Sequence, residues 1–313
     1  MISNIYEEEE IVRWVFAEIM SCLREAHDPY WFRWHPGHTK IHKIMYQTFE
    51  LTNVPVTRSW YRYGCFIHSD QLAGFRDFSS LKGRYLRGPL EHPRLESAVA
   101  EMGFNTQLIR DALRTTIDKM PSRMSKFMKA LYENAPEDFG SVYATRLDLY
   151  QRLKYSEKVS FRDLSRFGSW LSRVRKTISA FHMAIFSHAE FMDLADTVLE
   201  FTESIEEALL KSETLLRQEK RIARRKAQLI HSFSGLFDKQ VWVPIALEIS
   251  ARTVKGFRAD EVRKTQLRKK KEKISELQNT LKYQSNALRA NGLSLGWQEL
   301  RDFLGRNSHK LAS

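Results

Sequence analysis

Apolar residues recur at helical spacing from the start of the chain. In "EEEEIVRWVFAEIMSCLREAH" Ile11, Val15, Ile19 and Leu23 fall at every fourth position, which predicts an amphipathic helix. The glutamates at 7–10 complement the positive end of that helix and read as a solvated start. "HTKIHKIMYQTFELTN" predicts a second helix with Ile41, Ile44, Met45, Phe49 and Leu51 turned inward, stopped by Asn53 and Pro55. The pattern then changes. "VPVTRSWYRYGCFIH" is rich in Val, Thr, Trp, Tyr and Phe and predicts an extended segment, a short hairpin or wing. "SDQLAGF" reads as a short helix capped by Ser69, and 78–94, with its glycines, serines and prolines, as a loop.

From residue 94 the periodicity is helical almost throughout. "PRLESAVAEMGF" ends at Gly103, and the next helix starts at a capping Asn105 or Thr106 and ends before Pro121. A further helix ends before Pro136, and 160–201 holds one or two long helices. Residues 203–233 read as one helix, with a break at Gly235 and an apolar segment crossed by Pro244. The last helix, from residue 259, ends at Asn291-Gly292. It carries Leu267, Ile274, Leu281 and Leu288 at seven-residue spacing, while the companion positions are mostly polar. That favours one stripe packed on the protein's own body over a dimeric coiled coil.

The expected fold is therefore mainly α: a helical N-terminal domain with a minor β element (1–118), a helical middle region (119–200) and a region of long basic helices (201–313). Of 313 residues, 42% are hydrophobic and 12% aromatic, enough for a packed core. No apolar run reaches the ~18 residues of a spanning helix, and the acidic start is unlike a signal peptide, so a cytoplasmic protein without membrane contact is expected. Cys22 and Cys65 are too few for a disulfide framework or a cysteine zinc site and are expected as reduced thiols.

The net charge of +12 is unevenly spread. Residues 201–313 hold 23 Lys and Arg against 13 Asp and Glu, leaving 27 against 25 in residues 1–200. A localised basic excess suits a polyanion. "RQEKRIARRKAQ" gathers Arg217, Lys220, Arg221, Arg224, Arg225 and Lys226, read as one helix. "RKTQLRKKKEK" gathers Arg263, Lys264, Arg268, Lys269, Lys270, Lys271 and Lys273 on another. Paired basic helices along a phosphate backbone would bind without sequence preference. The type of nucleic acid stays open, and solvated helix faces are the plainer reading. "YWFRWH" (30–35) and "RSWYRY" (58–63) offer rings for base stacking, with a core role favoured.

Catalytic signatures are sparse. His35, His38 and His42 cluster, but with no fourth ligand nearby no metal is expected, nor any other cofactor. Phosphate-loop, dinucleotide and nucleophile-elbow motifs are absent. Arg175 and His182, in "RKTISAFH", are separated by two helical turns and share a face. This pair resembles the Arg-x(4–6)-His signature of the HEPN ribonucleases. The resemblance implies a metal-independent ribonuclease with His182 as acid/base and Arg175 as phosphate clamp.

A second resemblance concerns 38–118. Lys40, Lys43, Met45 and Tyr46 on a helix, Pro55 at a turn, then Tyr61, Tyr63 and Gly64, with Leu72 beyond, resemble the start of the Panacea (SocA-like) domain. Cys65 stands where that family usually has Pro. The resemblance implies a non-catalytic interaction module of the toxin–antitoxin or microbial defence type. The N-terminal domain would then meet a protein partner and the basic helices nucleic acid.

Overall fold

The computed structural model describes residues 5–25, 38–69, 92–119, 124–136 and 139–294. It is mainly α-helical, with one two-stranded antiparallel sheet among the described residues. The chain forms two compact units that differ from the three-part division above. One comprises 1–140 with 249–267, the other 141–248 with 268–313.

In the first unit, α1 (Ile5–Glu25), α2 (His38–Thr52), α3 (His92–Glu101), α4 (Thr106–Asp118) and α5 (Met124–Glu133) accompany the hairpin β1 (Arg58–Tyr61) and β2 (Gly64–Ile67). The core is made by the apolar stripes the sequence marks. Ile11, Val15 and Ile19 of α1 are buried with Ile41, Ile44, Met45 and Phe49 of α2. Leu51 is the exception: it is 62% exposed, because the helix ends at Thr52 and Asn53 turns left-handed (φ 54). Gly103 takes φ 86 after α3, and the Asn105 side chain accepts from Leu108 N–H at 3.0 Å to start α4. The short helix expected after Ser69 lies outside the described residues.

The hairpin pairs Arg58 with Ile67 and Tyr61 with Gly64. Trp60 is buried at 3%, edge-on to Tyr46, so this ring belongs to the core rather than to a stacking surface. A second backbone exchange joins Arg58 to Lys255, Arg58 N–H to Lys255 O at 2.9 Å and Lys255 N–H to Arg58 O at 2.8 Å. This brings 249–267 into the N-terminal unit.

Two of the four glutamates at the start of α1 are not solvated. Glu8 is fully buried and Glu9 is 8% exposed. Arg258 reaches Glu8 Oε2 at 2.9 Å, and the Thr57 N–H also donates to Glu8. Glu9 accepts from the Ser69 hydroxyl at 2.5 Å. Buried carboxylates persist where such donors meet them, which a local reading cannot reveal.

The second unit holds most of α6 (Phe139–Lys154), then α7 (Leu164–Phe186), α8 (Met192–Glu219), α9 (Arg224–Leu236) and most of α10 (Trp242–Thr253) and α11 (Ala259–Ala290). Asp163 caps α7 by accepting from Arg166 N–H at 3.1 Å. The helix runs through Gly235 rather than breaking there. A π turn, Phe237–Val241, follows α9 and leads straight into α10, whose first turn contains Pro244. Proline lacks the N–H that would bond back to residue 240 and crowds its carbonyl, so a widened turn just before it removes the conflict.

Along α11 the buried positions are Val262, Gln266, Lys270, Leu277, Leu281 and Leu288. Their spacing repeats over eleven residues (266, 277, 288 and 270, 281), close to the turn of a straight helix. The seven-residue pattern drifts off this stripe, which leaves Leu267 38% exposed. Gly292 closes α11 at φ 62, with Leu293 N–H bonded to Leu288 O at 2.9 Å and Leu293 buried.

Candidate nucleic-acid interface

The six cations of 217–226 do not share one helix. α8 ends at Glu219, Lys220 caps it left-handed (φ 58), and α9 begins at Arg224. Ile222 is the anchor: its side chain is 8% exposed and its N–H donates to Phe161 O at 3.1 Å. Tucking Ile222 in breaks the helix, although neither Gly nor Pro marks the place. The residues around it, Lys220, Arg221, Arg224 and Arg225, are exposed and carry no carboxylate partner among the described residues. Arg217 differs, being bound to Glu213 at 2.8 Å.

The Lys226 ammonium lies near the far end of α11, where a Cβ added to Gly292 would stand 3.9 Å from it. A cation there suits the negative end of a helix. The cationic turn is therefore placed at the C-terminal end of α11.

The basic set on α11 divides into three. Lys270 is interior: it is 5% exposed, its amine 2.7 Å from Glu248 and 2.8 Å from Asp193. It is unavailable to a phosphate, which corrects its place among the candidate contacts. Arg263 and Lys273 are held on their own helix, by Asp260 and Glu276, each at 2.6 Å. Lys264, Arg268, Lys269 and Lys271 are exposed without such partners among the described residues.

Lys264, Arg268 and Lys271 are spaced four and three apart, opposite the buried stripe. The same column continues through Lys282 and Arg289, both exposed and also lacking a carboxylate partner among the described residues. At 100° per residue these five lie within a sector of about 60°. The acids Glu261, Glu272 and Glu276 lie to one side of it, and Asp260, paired with Arg263, to the other. From Arg268 to Arg289 the column runs about 32 Å at 1.5 Å per residue. Lys282 and Arg289 stand outside the dense "RKKKEK" run. Only their spacing of eleven and eighteen residues from Lys271, close to whole helical turns, marks them.

Arg175 and His182 both face α8. Arg175 is 3.7 Å from Glu206, and His182 Nε2 is 2.7 Å from the Thr202 hydroxyl, its ring stacked on Phe186 at 5.4 Å. Burial lowers the His182 pKa from its ordinary value. These contacts make the two residues successive rungs between antiparallel helices, with each functional group engaged.

Of the histidine cluster, His35 and the side chain of His38 lie outside the described residues. His42 is 2% exposed, with its ring stacked on Phe66 and its Nδ1 accepting from Ile67 N–H at 3.1 Å. Among the described residues no three His, Cys, Asp or Glu side chains form a metal-binding group, and no helix is long and apolar enough to cross a membrane. Cys22 and Cys65 form no disulfide.

No curated protein and no solved structure matches the chain. One family does match, over residues 90–298, which begins after the aromatic hairpin and takes in the cationic turn and all of α11. That is well over half of the chain, and the protein belongs to this family, described as a domain of unknown function (DUF8098).

Proposed function

We propose that this protein is a non-catalytic nucleic-acid-binding protein. Its contact surface is the outer column of α11 together with the turn at 220–226. The observation that carries this reading is the separation of charge on α11 from residue 268 onward: Arg268, Lys271, Lys282 and Arg289 share one edge of the helix, and Glu272 and Glu276 lie to one side of it. Cations without carboxylate partners condense on phosphates with release of counterions, so binding is independent of sequence and steeply salt-dependent. From Arg268 to Arg289 the column spans about 32 Å and the cationic turn lies near its end, a span close to one turn of duplex, roughly 34 Å. A double-stranded polymer is thus the favoured ligand.

The test is binding of the purified protein to labelled single- and double-stranded DNA and RNA over a salt series, with the probes then run on a denaturing gel. Tight, salt-sensitive binding to a duplex with intact probe supports the reading. Affinity that does not change with salt, or no affinity at all, overturns it. Shortened RNA would instead favour the ribonuclease reading of Arg175 and His182, which requires both to leave Glu206 and Thr202.

A further inference from the structure

A cavity of about 200 Å3 opens beside the hairpin of the first unit. Its walls include Tyr61, Tyr63 and Phe66, with Arg62 on the turn and His42 and Lys43 from α2. Lys43 is the unusual member. A lysine is rarely buried without an opposite charge, yet Lys43 is 1% exposed and has no carboxylate partner among the described residues. Its amine donates to the Tyr63 carbonyl.

The chain has made room for this amine. Gly64, at φ 96, closes the two-residue turn, and a Cβ there would stand 2.9 Å from Lys43 Nζ and 2.7 Å from Leu131 Cδ2. A side chain at 64 would displace the amine. Among the described residues, Cys65 is a group whose negative charge would act on Lys43. Burial pushes its thiol up to about 11, so it is neutral at physiological pH. Burial also lowers the Lys43 pKa. An amine that is desolvated, short of counter-charge and carried by a residue lining a cavity meets the requirements of an imine-forming lysine.

We propose that Lys43 is a carbonyl-capturing nucleophile that forms an imine with a small 2-oxo acid in this cavity, the acid's carboxylate meeting Arg62. The nitrogen lone pair of Lys43 attacks the keto carbon while the C=O π electrons pass to oxygen. A proton moves from nitrogen to that oxygen, giving a carbinolamine. The C–O bond then breaks, the nitrogen gives up its remaining proton, and water leaves as the C=N bond forms. No oxidant or reductant is needed. Lys43 and its cavity belong to the first unit alone, so this activity is independent of nucleic-acid binding.

The experiment incubates the full chain with pyruvate at pH 7, reduces with borohydride and maps the adduct by peptide mass spectrometry. A surface lysine is neutral in only about one molecule in 2,500 at that pH. The expected result is a single adduct at Lys43, exceeding every other lysine by about tenfold or more. Lys43→Arg should lose it with an unchanged far-ultraviolet dichroism spectrum. If that variant does not fold, the site of labelling in the native chain decides the matter. Adducts spread over many lysines, or none at Lys43, overturn the proposal. Propionaldehyde, which lacks the carboxylate, should label Lys43 less than pyruvate does, and equal labelling would remove Arg62 from the assignment.

Discussion

The Lys270 amine lies 2.7 Å from Glu248 Oε2, in a site where both side chains are almost inaccessible, at 6% and 4%. Asp193, 55% exposed, completes the triad from α8. A lysine set among six other cations in 263–273 is thus the one that ties three helices together. Removing one partner of a buried ion pair leaves an uncompensated charge, at a cost of about 3–5 kcal/mol. Lys270→Ala should lower the stability of the chain by that amount in urea unfolding. Asp193→Asn should cost less than about 1 kcal/mol, because solvent screens an exposed carboxylate. Lys270→Met combined with Glu248→Leu should recover most of the loss. A double variant no better than Lys270→Ala would show that the pair's charges are not what the single substitution disturbs.

The burial of Lys270 also decides how the interface must be tested. Reversing Lys269, Lys270 and Lys271 together would unseat α11 and confound binding with folding. Arg268→Glu, Lys271→Glu and Lys282→Glu avoid this, since all three are exposed and lie on the basic edge. The triple variant should bind duplex much more weakly. Its dependence of log K on log salt should flatten by about 0.9 for each phosphate that the variant no longer neutralises. Lys273→Glu, at a residue held by Glu276, is the control and should change affinity little. Equal weakening in the triple variant and the control would argue for a general charge effect and against a defined edge.

Much of this architecture is legible because it is locally encoded. The stripe of Ile11, Val15 and Ile19, the aromatic hairpin, the Asn105 cap and the Gly292 stop each depend on neighbours within a few residues. What could not be read depends on partners far along the chain. The helix breaks at 220–223 because Ile222 is held by Phe161. Glu8 and Glu9 are inside because Arg258 and Ser69 reach them. Lys270 looks like its neighbours until Glu248 is placed beside it. The basic column was half visible: its first three members lie in a dense run, but Lys282 and Arg289 emerge only once the face opposite the buried stripe is known.

Gly256 is a second position where the backbone dictates the residue. It takes φ 108, and an added Cβ would come within 2.5 Å of Val56 O and 2.6 Å of Thr57 Cα. Neither neighbour is a flexible side-chain end, and both belong to the segment that leads into the hairpin. Gly256→Ala combines left-handed strain with a backbone clash, together costing about 2–5 kcal/mol. It should also detach the Arg258 contacts to Glu8 and to His68 O, the latter at 2.7 Å. Hydrogen exchange should then speed at Arg58 and Lys255, which exchange backbone hydrogen bonds. An alanine variant with unchanged melting temperature would mean that the segment shifts at no energetic cost.

The His182 ring gives the protein an acid-side liability whose sign follows from burial. Its folded pKa lies below the ordinary value of about 6.5. Between the folded pKa and 6.5 the unfolded chain binds more protons than the folded one, so stability falls with pH in that window and is intact above it. His231, also lowered by burial, acts in the same direction. Glu206, raised by burial, acts in the opposite one, since the folded state holds its proton more tightly. His182→Gln keeps a polar group for Thr202 but cannot titrate, and the other two groups cancel when variant and parent are compared. The difference in urea midpoint between His182→Gln and the parent should be constant above pH 7. As pH drops through 6.5 it should move in the variant's favour, because only the parent takes up a proton at this position on unfolding. A difference that stays flat from pH 8 to pH 5 would show that the ring titrates alike in the folded and unfolded chain, and that its contact with Thr202 excludes no proton.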